Sequence, residues 1–180
     1  MPEPTATAFD PDAARAGRRV SEVSIAWTIL GSSFAIPFGI AAASVALVAF
    51  GLVGLVDLVG SVALVHHYRH ALRTDAFSDR FERRAHRIVI TGLLTIGLAT
   101  VVVSAARLTI GHFPKTSTAE IVISSLSVVA LCILSTCKVR VARAIPSAAL
   151  RSDGFLTGIG AAQALVILAG TAAARRLSWH

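Results

Sequence analysis

Five stretches of this 180-residue chain are long and apolar enough to cross a lipid bilayer. A membrane-spanning helix needs about 20 mostly apolar residues. The five stretches cover residues 23–42, 45–65, 88–108, 119–137 and 146–174. None has the strict alternation of a membrane β-strand, so the pattern predicts an all-α, polytopic transmembrane helical bundle.

The remaining segments define the predicted domain organisation. Residues 1–20 are polar or small and predict a flexible cytosolic tail, residues 21–176 form the predicted transmembrane domain, and residues 177–180 are its C-terminal end. The first two stretches are joined only by Ala43 and Ser44, which predicts a tight helical hairpin.

Composition and charge agree with a membrane protein. Hydrophobic residues make up 54% of the chain and charged residues 15%, whereas soluble domains have about 45–50% and about 25%. Of the 17 Lys and Arg residues, thirteen fall on the side of the N-terminus and four on the other side. The positive-inside rule then predicts a cytoplasmic N-terminus. Lys138, directly after the fourth stretch, is counted as an inner residue, and the basic charge is assigned to the lipid surface rather than to nucleic acid.

Two acidic residues lie where the membrane makes them costly. A charged side chain at the centre of a membrane helix costs about 2.5–3.5 kcal/mol on insertion scales and is a functional candidate by default. Asp57 lies deep in the second stretch and shares a helix face with Ser61. Asp153 lies near the start of the fifth stretch and shares a face with Thr157.

These acids allow two interpretations. A helix that begins near Pro146 brings Asp153 to the depth of Asp57, where two carboxylates repel unless a proton or a cation lies between them. That arrangement is a divalent-cation site coupled to protons. Alternatively, Asp153 caps its helix in water and Asp57 is a separate, protonated and hydrogen-bonded group.

Stripes of small and hydroxyl residues mark two further helices. Such stripes either pack helices together or line a pathway. The first helix carries Ser24, Thr28, Ser32, Ala35 and Gly39 on one face, and the fourth carries Glu120, Ser124, Ser127 and Ser135.

Three segments together resemble the cation diffusion facilitator transporters. Residues 43–65, ASVALVAFGLVGLVDLVGSVALV, resemble the second helix of that family, which carries metal ligands. Residues 81–87, FERRAHR, are similar to the segment that opens its third helix, and residues 145–161, IPSAALRSDGFLTGIGA, to the start of its fifth. The resemblance covers about residues 22–174 and is closest to short members without the cytosolic C-terminal domain. It implies a six-span fold whose last span is absent from this sequence.

The resemblance also implies a function. It suggests a homodimeric transporter in a bacterial plasma (inner) membrane that exports a divalent cation such as Zn²⁺ in exchange for protons. Neither an enzymatic activity nor a permanently bound cofactor is expected. The family has two metal ligands, four residues apart, on each of two helices. Asp57 and Asp153 match one of each pair, and the other two positions hold Val53 and Ala149, which have no ligating atom.

Because only two of the four family ligands are present, the remaining coordination positions of the metal ion need other ligands. These ligands would be Ser61, Thr157, water or a backbone carbonyl oxygen. The alternative reading of the resemblance is a degenerate, non-transporting membrane protein of the same fold that acts as a partner or sensor subunit.

Overall fold

The computed structural model of the protein describes four long helices and part of a fifth. The described residues are 11–74, 87, 90–91, 94–103, 105–106, 118–144 and 147–177. The helices are α1 (Pro11–Ala41), α2 (Val45–Thr74), α3 (Leu94–Val103), α4 (Thr118–Ala144) and α5 (Ala148–Leu177). No β-strand occurs within these ranges, so the predicted all-α class is confirmed.

Four of the helices, α1, α2, α4 and α5, are long and apolar enough to cross a membrane. They make the chain an integral, multi-pass membrane protein by length and composition. The third predicted span, 88–108, is represented by α3, whose side chains are mostly exposed. Most of the FERRAHR segment lies outside the described residues, as do residues 1–10, 145–146 and 178–180.

Several helices begin or end outside the predicted spans. α1 begins at Pro11, so the second half of the predicted tail is helical. Proline suits a first helical turn because its missing N–H has no helical partner there, and Asp12 complements the positive helix end. α4 continues past the predicted end at Cys137 to Ala144. No Gly or Pro interrupts that extension, which places Lys138 within the helix.

The turn between α1 and α2 confirms the predicted hairpin. Ala43 adopts a left-handed backbone conformation with φ of 53°, and the N–H of Ser44 bonds the carbonyl oxygen of Gly39 at 2.8 Å. This geometry closes the end of α1. Ser44 then accepts a hydrogen bond from the N–H of Leu47 at 3.3 Å and so caps α2.

The bundle consists of two antiparallel helix pairs. α1 packs on α2 and α4 packs on α5, and the pairs meet through α1 against α4 and α2 against α5. We call the end with the α1–α2 turn the hairpin side; there Ser44 donates to Glu120 at 2.6 Å and Arg175 donates to Thr118 at 3.2 Å. The opposite end is the N-terminal side, where Tyr68 of α2 donates to Ser147, just before α5, at 3.4 Å.

The interior has an apolar layer towards each side of the membrane. The hairpin layer consists of Ala35, Leu47, Phe50, Leu131, Ala161, Ala164 and Ile167. The N-terminal layer consists of Ala14, Leu64, Tyr68, Ala142 and Leu150. Between these two layers, each of the four long helices has buried polar or charged side chains. These side chains form the candidate site.

Candidate functional site

Asp57 and Asp153 converge on one positive charge. The ammonium nitrogen of Lys138 lies 2.7 Å from Asp153 Oδ2 and 3.8 Å from Asp57 Oδ1. The two carboxylate oxygens are therefore no farther apart than the sum of these two distances. Lys138 is 0% exposed, Asp57 5% and Asp153 6%. The three charges form a buried cluster contributed by α2, α4 and α5.

Hydroxyl groups complete the surroundings of the charges. Thr157 Oγ1 accepts a hydrogen bond from Lys138 Nζ at 2.8 Å and lies 3.0 Å from Asp57 Oδ1, to which it donates. Ser61 Oγ accepts from Lys138 Nζ at 3.3 Å. Thr28 of α1 donates to Asp57 Oδ2 at 3.2 Å. All four long helices thus contribute a hydroxyl group or a charged side chain to the buried cluster.

One carboxylate oxygen in this cluster has no partner. Asp153 Oδ1 is buried and forms no hydrogen bond with any residue that the structure describes. A buried acceptor without a partner loses its hydration without replacement, at a cost of about 1–3 kcal/mol. When all three groups are ionised, the cluster also carries one more negative than positive charge. Both features leave the cluster able to accept a further proton or cation.

The structure brings all four sequence-predicted site residues together. Asp57, Asp153, Ser61 and Thr157 are all buried in the cluster. The alternative in which Asp153 caps its helix in water is wrong. Ser147 is the residue at the helix start, where its Oγ accepts from the N–H of Leu150 at 3.3 Å. Asp153 consequently lies inside α5, facing the core.

Lys138 is the site residue that sequence reasoning missed. Hydropathy ends the fourth span at Cys137, so Lys138 is counted among the inner basic residues, but the structure places it in the core. A usable signal was the spacing of the polar face of α4. Its buried residues recur at intervals of three or four, and Lys138 belongs to that series: Glu120, Ser124, Ser127, Leu131, Leu134, Lys138 and Ala142. Ser135, predicted on this face, lies beside it and is half-buried.

Close packing of α4 against α5 holds Lys138 between the acids. A Cβ atom on Gly154 would lie 2.9 Å from Val139 Cγ2 and 3.1 Å from Lys138 Cβ. Ser135 Oγ donates to the Gly154 carbonyl oxygen at 2.8 Å. The glycine therefore lets the backbone of α5 approach α4 at the level of the lysine.

A small cavity adjoins the cluster on its hairpin side. Its volume is about 30 Å³, which is enough for a water molecule. Asp57 and Thr157 border it, as do Val53 and the hydroxyl residues Thr28 and Ser32. Val53, which occupies one of the family ligand positions, thus presents an apolar wall to the cavity. The side chain of Ala149, at the other position, lies outside those described.

The donor set of the cluster consists of oxygen atoms. Among the described residues, no group of three or more His, Cys, Asp or Glu side chains converges. A cation at this position would therefore be held by two carboxylates, the neighbouring hydroxyls and water. Oxygen ligands suit hard cations, whereas Zn²⁺ binds most strongly with nitrogen and sulfur donors included.

Comparison with protein-family models, with curated proteins and with solved structures found no match to this chain. The geometry of the cluster and the residues that form it are therefore the features that point to a function.

Proposed function

We propose that the protein is a membrane transporter that exchanges a divalent cation for protons at Asp57 and Asp153. One observation carries the proposal: two acids from different helices converge on a single positive charge within the core of the bundle. The resemblance to cation diffusion facilitators points to the same two residues and to the same class of cargo.

Stability alone gives little reason for such a cluster. Ionised groups in a low-dielectric core lose their hydration, and replacing buried ion pairs with well-packed apolar residues is often neutral or stabilising. Ionisable residues inside membrane helices commonly belong to ion pathways or proton relays. A function that uses the charge of Asp57 and Asp153 accounts for their presence.

The charge balance supports exchange. Two carboxylates are neutralised by one divalent cation or by two protons, so replacing one with the other leaves the net charge of the cluster unchanged. A carrier that alternates between these states moves cation and protons in opposite directions. When protons enter the cell down their gradient, the exchange moves the cation out of the cell.

The proposal covers divalent cations as a class, and several of them are tested. Zn²⁺ is the cation that the family resemblance favours, and Mn²⁺ and Ca²⁺ are the cations that an oxygen-only donor set favours. A homodimer in a bacterial inner membrane is the assembly and location that go with this proposal.

The decisive experiment is cation flux in proteoliposomes. The purified protein is reconstituted with a metal-sensitive dye and a pH dye inside, and Zn²⁺, Mn²⁺ or Ca²⁺ is added outside. We expect cation entry coupled to opposite proton movement, reduced to the level of empty liposomes in Asp57→Asn and Asp153→Asn. Glu120→Gln is the matched control, because Glu120 is a buried acid outside the cluster, and it should retain flux.

A second candidate is a non-transporting protein in which the cluster only joins the helices. The favouring observation is that Lys138 already forms an ion pair with both acids and is itself fully buried. In that case neither flux nor cation binding is detected for the wild-type protein. Asp57→Asn would then lower thermal stability without changing any transport signal.

A further inference from the structure

We infer that Lys138 is a built-in competitor for the transported cation and sets the affinity of the site. Its ammonium occupies the position that the cargo takes, so cargo binds only when this side chain withdraws. This inference rests on the proposed function, because it assumes that Asp57 and Asp153 bind cargo.

The surroundings of the ammonium are those of a cation site. Within hydrogen-bond or ion-pair distance, Lys138 Nζ meets four oxygen atoms, from Asp153 at 2.7 Å, Thr157 at 2.8 Å, Ser61 at 3.3 Å and Asp57 at 3.8 Å. Divalent cations bind oxygen ligands at about 2.0–2.6 Å. A metal ion cannot reach both carboxylates at these distances while the ammonium lies between them. Binding of the two is therefore mutually exclusive.

The ammonium uses only part of the ligand capacity of the site. Asp153 Oδ1 is buried and has no partner among the described residues. Lys138 engages the other oxygen of that carboxylate. A metal ion can bind both oxygens of one carboxylate, so it gains a ligand that the lysine leaves unused. This difference gives the cargo a means of displacing the side chain.

Lysine suits a group that must withdraw. Its charge lies on a flexible four-carbon stem, so the ammonium can move several ångströms without movement of the helix. The cavity next to Asp57 and Thr157 lies on the hairpin side, whereas α4 continues from Lys138 towards the N-terminal side. The cavity would therefore hold a cation on the side of the carboxylates that faces away from the continuation of α4.

Substitution of Lys138 tests the competition directly. Apparent affinity is reduced by the fraction of molecules in which a site is available. Lys138→Gln removes the competitor, so binding of Mn²⁺ or Zn²⁺ should tighten by about tenfold or more. Lys138→Arg keeps the charge on a larger, five-donor group, so cation binding should weaken below the wild-type level. The measurement is isothermal titration of each metal alone into the full chain in detergent.

A purely structural ion pair predicts the opposite order. Arginine would then preserve the protein, and glutamine would weaken both folding and cation binding. Arg140→Gln is the control, because Arg140 is an exposed basic residue on the same helix, and it should leave affinity unchanged. Thermal unfolding provides a second readout: added metal should raise the melting temperature of Lys138→Gln more than that of the wild type.

The outcomes separate this inference from the proposed function. If the wild type binds metal and Lys138→Gln binds it equally or more weakly, the inference is overturned and the transporter proposal stands. If Lys138→Gln does not fold even with metal present, Lys138→Arg decides: wild-type affinity in that variant overturns the inference. If neither the wild type nor Lys138→Gln binds Mn²⁺ or Zn²⁺, both proposals fail.

Discussion

At the scale of single residues, Thr157 connects Lys138 with Asp57. Its hydroxyl oxygen accepts from Lys138 and its proton is available to Asp57, so one small side chain orders both partners. The same hydroxyl lies 3.0 Å from the carbonyl oxygen of Asp153 within α5. Since a hydroxyl has one proton, these two acceptors share it. The position of Lys138 relative to Asp57 therefore depends on Thr157.

We predict that Thr157→Val lowers the free energy of unfolding by about 1–3 kcal/mol, because valine matches threonine in shape but leaves buried polar groups without a partner. Chemical denaturation in detergent micelles followed by circular dichroism measures this loss. Thr136→Val is the control: Thr136 is exposed and, within the described ranges, bonds only carbonyl oxygens of its own helix. An equal loss in both variants would contradict a special role for Thr157.

At the scale of elements, the approach of α4 to α5 positions the cluster. Gly154 faces Lys138 and Val139 with no space for a side chain, and Gly158 lies opposite Ser135. Spreading these helices would move the ammonium away from Asp153, since the two residues belong to opposite partners of the pair. The spacing between helices and the electrostatics of the site are consequently linked.

Gly154→Ala tests this link. The added Cβ would meet atoms at 2.9–3.1 Å, so we expect a loss of about 1–3 kcal/mol in unfolding free energy, as for overpacked cores, and weaker cation binding. Gly170→Ala on the same helix has nothing within 4 Å of the added atom. It should be neutral or stabilising by up to about 1 kcal/mol, because alanine favours helix. Unfolding curves and metal titrations of the two variants are compared directly.

At the scale of the whole molecule, an apolar layer lies on each side of the cluster. The N-terminal layer contains the fully buried Tyr68, and the hairpin layer surrounds Phe50. The proposed exchange requires these layers to open in turn. Which layer opens to the cytoplasm depends on the orientation of the chain in the membrane.

Cysteine labelling tests the orientation. In a Cys132→Ser, Cys137→Ser background, a membrane-impermeant maleimide is applied to intact cells. Thr118→Cys, at the start of α4 on the hairpin side, should react at once. Asp12→Cys, at the start of α1, should react only after permeabilisation, because the basic residues place that side in the cytoplasm. The reverse labelling pattern would contradict the predicted cytoplasmic N-terminus and would place the hairpin layer towards the cytoplasm.

Hydrophobic patterning predicted the helical membrane class and the two acids, because both follow from properties of single helices. The role of Lys138 could not be predicted from this patterning, because hydropathy treats a lysine after an apolar run as the end of a span. Its place depends on continuation of α4 and on contact with α5, which are tertiary features. Likewise, the helical segment from Pro11 was predicted as a tail because its polar residues resemble a linker, although Ala14 packs in the N-terminal layer.

The hydroxyl groups on α1 have a consequence for the insertion of the chain into the membrane during synthesis. The N-terminal hairpin is synthesised first, so Asp57 enters the membrane before Lys138 and Asp153 exist. During that interval Thr28 can still donate to its carboxylate, and Ser24 lies 3.5 Å from it. The hairpin thus carries its own temporary partners for its acid, and biogenesis need not wait for the later helices. The lysine, in turn, enters a bilayer that already holds its first counter-charge.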